Sequence, residues 1–459
     1  MKKFIKITGI LAAVLIILFV VGYIWVIRNA QYLLQEFVRS ESNGKIELTS
    51  QRARYSFRKH QFVLTNPRLR SMNDDEKSTS YIITLKKITL NVGSLQSIIF
   101  RQKIAIDSID CVSPLVEVIK TKKSTNSRIS LPEEFAKIYK SIEETITKLQ
   151  IKHLAIHSGS FSLIKKYDPD SSPIKISNID LTIRNFGETS MQEENERVFF
   201  TDEIILQSTN QDITFPDGFH GMRFSKFKLN TKTNIIEIDS CFIYGNRTNS
   251  YKGQFGIFFD TLRLLNPDLN ALAKRDLIKV DSAVCTNPNI DFSFEVKNTG
   301  NGRALFPTKK REKDSLQASF KKLFANLDLR YIGVQNADID IRVKRGESFT
   351  TYTSRKSNFN LHQLLIVEDP DIPIQLDRFD FAIRNYIGYS PDSTYAIRFD
   401  SILLVKNKVS LSNFSIAPTG NNSPDWKEVK TRAFQLEDIT WEDLIYDNRI
   451  STSGHTRTA

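Results

Sequence analysis

Apolar and polar residues alternate along much of this chain, at Ile88, Leu90, Ile104, Ile106, Val116 and Val118 and again at Leu262, Leu264, Ile278, Val280, Ile290 and Phe292. Period two sends successive side chains to opposite faces, so each stretch predicts a half-buried strand with one apolar face. Two segments follow the helical period instead. Ser130 and Glu133 form a capping box ahead of Phe135, Ile138, Tyr139, Ile142 and Ile146, which fall on one stripe and predict a helix at about 131–148. Asp314 and Gln317 cap a second such segment, whose Leu316, Phe320, Leu323 and Phe324 predict a helix at about 315–325. A third pattern opens the chain. From Ile7 to Ile27 no residue is charged, a length that crosses the ~30 Å hydrocarbon core as a helix.

Lys2, Lys3, Lys6 and the amino terminus precede that run and only Arg28 follows it closely, so the positive-inside bias places residues 1–6 in the cytoplasm and about 430 residues on the other side. A cleaved signal peptide is the competing reading. Against it, the run is longer than a usual signal core and Arg28-Asn29-Ala30 offers no small-residue cleavage site. Tyr23 and Trp25 stand near the outer end, where interfacial aromatics belong.

The chain also repeats itself. Residues 104–114 (IAIDSIDCVSP) align without a gap on 278–288 (IKVDSAVCTNP) at an offset of 174, and the match extends back to Ile88 against Leu262. The order continues: 149–163 (LQIKHLAIHSGSFSL) matches 327–341 (LDLRYIGVQNADIDI), and 181–186 (LTIRNF) matches 381–386 (FAIRNY). A third copy begins near Phe434, with 441–450 (WEDLIYDNRI) against 95–104 (LQSIIFRQKI), before a polar tail from Ser451 to Ala459. Each copy runs strands, a basic linker, a helix and strands again, over about 175 to 200 residues. The expected organisation is therefore a cytoplasmic tip at 1–6, a transmembrane helix at 7–27, repeat unit one at 28–225 and repeat unit two at 226–430. Residues 431–459 would start a third unit or form a cap. The fold class is mainly β with α: tandem repeats of curved antiparallel sheet, each with one amphipathic helix.

Composition narrows the chemistry. With 25% charged and 40% hydrophobic residues, 18 Gly, 14 Pro and 3 Cys, the chain is neither low-complexity, disordered nor a disulfide scaffold. Removing Lys2, Lys3, Lys6 and Arg28 from the net charge of +12 leaves +8, spread over both halves without a nucleic-acid recognition motif. Six His leave few ligands for a metal. His153 and His157 are four apart, but on a strand that spacing separates them by roughly 13 Å. Asp107-Ser108, Asp281-Ser282, Asp239-Ser240 and Asp400-Ser401 recur, yet neighbouring strand residues point to opposite faces and read as turn, bulge or edge features. Cys111 and Cys285 hold equivalent places, with Cys241 in a neighbouring apolar strand. Free buried thiols are expected, with a Cys241–Cys285 bridge as the alternative. No phosphate loop, nucleophile elbow or paired catalytic carboxylate emerges, so an enzyme is not expected, nor any cofactor. The linkers carry Lys120, Lys122, Lys123 and Arg128 in unit one and Lys309, Lys310, Arg311 and Lys313 in unit two. They are solvated loops or contacts for anionic headgroups.

The basic tip, the uncleaved helix, the segment 33–48 (LLQEFVRSESNGKIEL) that turns into a strand at Asn43-Gly44, and the strands 62–69 (FVLTNPRL) and 88–118 together resemble the AsmA-like family of bacterial envelope proteins. That family lies within the repeating β-groove, or bridge-like, lipid transfer proteins. The resemblance implies a protein of the inner membrane, single-pass with its bulk in the periplasm, whose taco-like β-groove binds or conducts phospholipid or another envelope amphiphile during outer-membrane biogenesis. The alternating apolar residues named above are then the groove candidates. The same positions equally fit a closed core, and the alternative function is an envelope scaffold that binds a protein partner.

Overall fold

The computed structural model describes residues 25, 28–40, 42–72, 79–93, 104–121, 149–169, 172–187, 201–215, 218, 220–245, 254–271, 277–295, 326–345, 348–366, 374–375, 378–389, 394–405, 408–419, 428–437 and 454–458. Both expected helices, at 131–148 and 315–325, lie outside them, as does the uncharged run 7–27 apart from Trp25. Among the described residues no helix is long and apolar enough to cross a membrane. Strands dominate. The chain falls into two compact units, 1–126 with 139–208 and 127–138 with 209–459, so the break lies at 208/209 where the sequence repeat put it at 225/226.

Unit 1 starts with helix α1 (28–40), whose Ala30, Leu33, Leu34, Phe37 and Val38 fall at helical spacing on one stripe. The helix ends where the Gly44 amide returns to the Arg39 carbonyl at 2.7 Å, with Asn43 and Gly44 at positive φ. Long strands follow, several interrupted once: β1 (Ile46–Thr49) and β2 (Arg52–Ser56), β3 (Gln61–Thr65) and β4 (Arg68–Ser71), β5 (Thr79–Thr84) and β6 (Lys87–Val92), β7 (Ile104–Val112) and β8 (Leu115–Lys120). Each pairs antiparallel with the next, β1 with β4, β2 with β3, β3 with β6, β4 with β5, β5 with β8 and β6 with β7. The direction then changes. β9 (Leu149–Lys165) runs parallel to both β7 and β8, and β10 (Ile174–Phe186) and β11 (Glu203–Thr214) resume the antiparallel meander. A parallel neighbour requires a long crossover, here residues 121–148.

Unit 2 repeats the plan. β12 (His220–Asn230), β13 (Ile235–Gly245) and β14 (Gln254–Pro267) form a meander, and β14 pairs with both β15 (Leu277–Thr286) and β16 (Asn289–Glu295). β17 (Asn326–Arg345) runs parallel to β15 and β16 as β9 does to β7 and β8. β18 (Ser348–Ile366), the two-residue β19 (Ile374–Gln375), β20 (Arg378–Tyr389), β21 (Tyr395–Val405), β22 (Lys408–Pro418), β23 (Val429–Glu437) and β24 (Gly454–Thr458) complete it, all antiparallel. Three hairpins share one register: Ile88 faces Cys111, Leu262 faces Cys285 and Phe434 faces Arg457.

One sequence match is out of register. The first antiparallel neighbour of β9 is β10, and that of β17 is β18, so the counterpart of 181–186 is 359–364 (FNLHQL) and not 381–386 in β20. The backbone marks the true equivalence, because Asn178 and Asn185 in β10 and Lys356 and Gln363 in β18 all take positive φ at the same offset as β9 to β17.

Such irregularities line up across strands. Ser113, Ser158 and Asn178 have φ of 51°, 52° and 50°, and Asn287, Asn336 and Lys356 have 50°, 57° and 50° at the matching places of unit 2. Most are Asn or Ser, and Asn tolerates the left-handed region better than most residues. The Ser158 amide donates to Asp180 and the Asn336 amide to Asn358, both at 2.9 Å. Each column adds a residue to every strand it crosses, so apolar side chains return to one face beyond it.

Candidate functional site

In unit 1 the cross-strand register assembles the alternating residues into apolar rows. One row runs Phe62, Leu90, Ile109, Leu154, Ile183, Ile204, and the next runs Leu64, Ile88, Cys111, Ile156, Leu181, Leu206. Beyond the irregular column lie Leu69, Ile83, Val116, Phe161, Ile176, then Tyr81, Val118, Leu163, Ile174. Helix α1 covers one end of this face. Its Ala30 and Leu34 join Leu48, Tyr55, Phe62, Leu64 and Val92 in a buried cluster, and Phe37 reaches on to Ile106 and Ile151.

Unit 2 carries the same rows farther. One runs Ile236, Leu264, Ala283, Ile332, Leu361, and its neighbour runs Ile238, Leu262, Cys285, Val334, Phe359, Phe381, Leu404, Val409, Leu436. Past the column stand Ile243, Ile257, Ile290, Ile339 and then Phe255, Phe292, Ile341. Most of these side chains are only half-buried, while Ala283 and Leu404 are buried. A residue sandwiched between two packed layers loses nearly all its exposure, so the half-buried members of these rows keep solvent access, whereas Ala283 and Leu404, like Phe62, Leu64, Cys111, Val118, Leu163, Ile174 and Ile204 of the unit 1 rows, are packed.

The groove candidates divide on this measure. Ile88, Leu90, Val116, Leu262, Leu264, Ile278, Ile290 and Phe292 are half-buried. Ile106, Val118 and Val280 are 5%, 1% and 1% exposed and belong to packed core. Ile104 pairs with Leu149, but its side chain lies outside the described residues. Sequence reasoning named no groove residue on β9, β10, β17 or β18, although Leu154, Phe161, Val334 and Phe359 complete the rows. Their alternation was visible as strand, but nothing local tells which strands become neighbours.

The opposite face is polar and cross-linked. Lys152 bonds Asp107 at 2.7 Å, and the equivalent pair of unit 2, Arg330 with Asp281, is at 3.1 Å. In two of the Asp-Ser steps the serine has its own cross-strand partner: Ser108 accepts from Asn91 at 2.6 Å and Ser401 bonds Ser412 at 2.7 Å. His362, Arg378 and Asp380 form a partly buried cluster, with His362 Nε2 and Arg378 Nη2 at 2.8 Å and Arg378 Nε and Asp380 at 3.1 Å. Among the described residues no His, Cys, Asp and Glu group could hold a metal ion.

All three cysteines are free thiols, with Cys111 and Cys241 buried. Strand β14 separates Cys241 from Cys285, because Cys241 faces Phe259 and Cys285 faces Leu262. Two strand spacings are roughly 9.6 Å, beyond the Cα separation that a disulfide spans. Burial pushes the Cys111 thiol up to about 11, with help from Asp110, and the Cys285 thiol likewise to about 11. Cys241 rises to about 12, through burial and then its neighbour Cys285.

Of the basic candidates, Lys120 is not on a solvated linker: it ends β8 and is 8% exposed. Lys122, Lys123, Arg128, Lys309, Lys310, Arg311 and Lys313 lie outside the described residues. Compared with protein-family models and with curated proteins, the chain has no match.

Proposed function

We propose that this chain is a membrane-anchored, non-enzymatic protein that holds phospholipid-like amphiphiles along the apolar face of its strands, headgroups in water. The half-burial of the apolar rows carries this reading, since exposed apolar surface of this extent costs free energy unless something apolar covers it. Acyl chains suit a long stripe of aliphatic and aromatic side chains that offers few polar partners. Helix α1 follows the uncharged run 7–27 directly and packs on the start of unit 1's face, so that face begins within about 20 Å of chain from the run's end by helical rise. The resemblance to AsmA-like proteins adds the bacterial inner membrane, a periplasmic bulk and envelope biogenesis.

The test uses the full chain, purified from its membrane and analysed by native mass spectrometry for bound lipid. Leu262→Asp and Val334→Asp sit on half-buried positions. Both are expected to lose stoichiometric phospholipid while keeping the wild-type circular dichroism and unfolding midpoint. Val118→Asp, in packed core, is expected to unfold, because an unpaired buried carboxylate costs several kcal/mol. Unfolding of the Leu262 and Val334 variants as well would make the face a closed core. A folded wild-type chain that never carries lipid would instead favour a scaffold that binds a protein partner.

A further inference from the structure

The polar face of unit 2 is interrupted by a patch of aromatic side chains. On β13 and β14, Ile243 and Ile257 belong to the apolar rows, so their neighbours Phe242, Tyr244 and Phe258 point to the opposite face. Phe242 and Phe258 are cross-strand partners, and each is 37% exposed. Glycines beside the rings give them room to lie across the neighbouring strands: a Cβ on Gly256 would meet the Phe242 ring at 3.2 Å, and one on Gly221 would collide with the Tyr244 hydroxyl. The Phe242 and Tyr244 rings stack at 5.6 Å, 24° from parallel. The Arg223 guanidinium sits 5.1 Å from the centre of the Tyr244 ring and bonds Asp212 at 2.9 Å. Tyr244 is thus braced, and Phe242 and Phe258 form the open part of the patch. Arg223 flanks Phe242 in register, and the exposed Asn289 flanks Phe258.

The fold does not demand aromatic residues here. At the offset of 174, unit 1 sets Arg68 against Thr84 where unit 2 has Phe242 against Phe258. Exposed rings among charges cost free energy unless a ligand covers them. At 37% each the two phenylalanines leave roughly 150 Å² open, far below the ~800 Å² that a stable protein partner covers. The bordering cations are already matched, Arg223 by Asp212 and Arg342 by Asp291, which leaves little for a phosphate backbone to bind. A pyranose ring fits better. Its C–H face stacks on an aromatic ring, and its rim of hydroxyls calls for both donors and acceptors, which Arg223, Asp212 and Asn289 supply.

We propose that Phe242 and Phe258 form a stacking platform for the sugar rings of a polysaccharide, with Arg223, Asp212 and Asn289 bonding its hydroxyls. The platform lies on the face opposite the apolar rows and stands independently of lipid binding. Cellotetraose, chitotetraose and maltotetraose are titrated calorimetrically into the full chain, purified in a detergent without a sugar headgroup. At least one is expected to bind with a Kd of about 1 mM or tighter. Phe242→Leu/Phe258→Leu keeps apolar bulk but removes both aromatic faces, and should weaken that binding about 10-fold or more. Phe242→Arg/Phe258→Thr, which installs the residues of unit 1, should do the same, and both variants should keep the wild-type unfolding midpoint and bound phospholipid. Failure of the wild type to bind any of the three sugars, or equal binding by the variants, overturns the platform. Loss of phospholipid from the folded variants overturns it in favour of lipid on this face. Unfolding of both variants marks the rings as structural and overturns it as well.

Discussion

Single residues set how closely the strands approach one another. A Cβ on Gly388 would meet the Tyr386 hydroxyl at 2.5 Å and ring carbons at 2.9 Å, and the Tyr386 ring in turn stacks on Phe399 at 4.5 Å, 9° from parallel. Gly388→Ala is therefore expected to push Tyr386 off its partner and cost about 1 kcal/mol, the usual worth of such a ring pair, read as a lower urea midpoint. The thiols give a second prediction. With all three raised to about 11 or 12, the native chain should react negligibly with iodoacetamide at pH 8 and with three equivalents once denatured. A thiol whose folded pKa lies above its unfolded value stabilises the fold while both states stay protonated, and that contribution is lost as pH rises. Stability should accordingly fall from about pH 9, where the unfolded thiols ionise, up to about pH 12, where the last folded one does. Replacing the cysteines with alanine should flatten that fall, which pH-dependent urea titrations would detect.

At the scale of elements, the columns of positive-φ residues keep long strands facing one way. Asn336 has φ 57°, accepts no Cβ-branched substitute easily, and donates from its side chain to Asn287 at 3.3 Å. Asn336→Val is expected to cost roughly 2 kcal/mol and Asn336→Gly well under that, because the strain is steric and glycine has none. Equal losses in thermal melts would assign the cost to the hydrogen bond instead. Much of this level was legible in advance. Strand alternation around Ile104 and Ile278 located β7 and β15, and the shared Asp, Ser, Cys and Pro aligned them. The match of 181–186 to 381–386 failed because β10 and β20 happen to share an apolar alternation with an Arg-Asn step that the true counterpart, 359–364 in β18, lacks, and short-range pattern cannot distinguish first from second neighbours. The parallel step was equally hidden, since residues 121–148 read as linker and helix whichever way the next strand runs. The groove candidates were legible as apolar positions but not as open or closed, because alternation is identical in both. Lys120 read as linker because its burial depends on β9, brought alongside from beyond residue 148.

For the whole molecule, the anchor and the sidedness of the chain are testable together. The native thiols supply little background, so a cysteine placed at the exposed Thr351 reports alone. Thr351→Cys is expected to label with a membrane-impermeant maleimide in intact spheroplasts, and Lys2→Cys only after lysis. The reverse pattern would invert the topology, and release of the chain from washed membranes would remove the anchor. The parallel step also governs what the chain can survive. From Lys120 the backbone must travel back to the level of Ile104 before β9 can begin, a distance of about 50 Å at strand rise. Fully extended, roughly 15 residues are the fewest that reach. Antiparallel neighbours escape this limit, as the two residues between β21 and β22 illustrate. Deletions should therefore be tolerated unevenly: hairpin connections can shrink to almost nothing, whereas the two long crossovers have a minimum length below which β9 or β17 loses its partner.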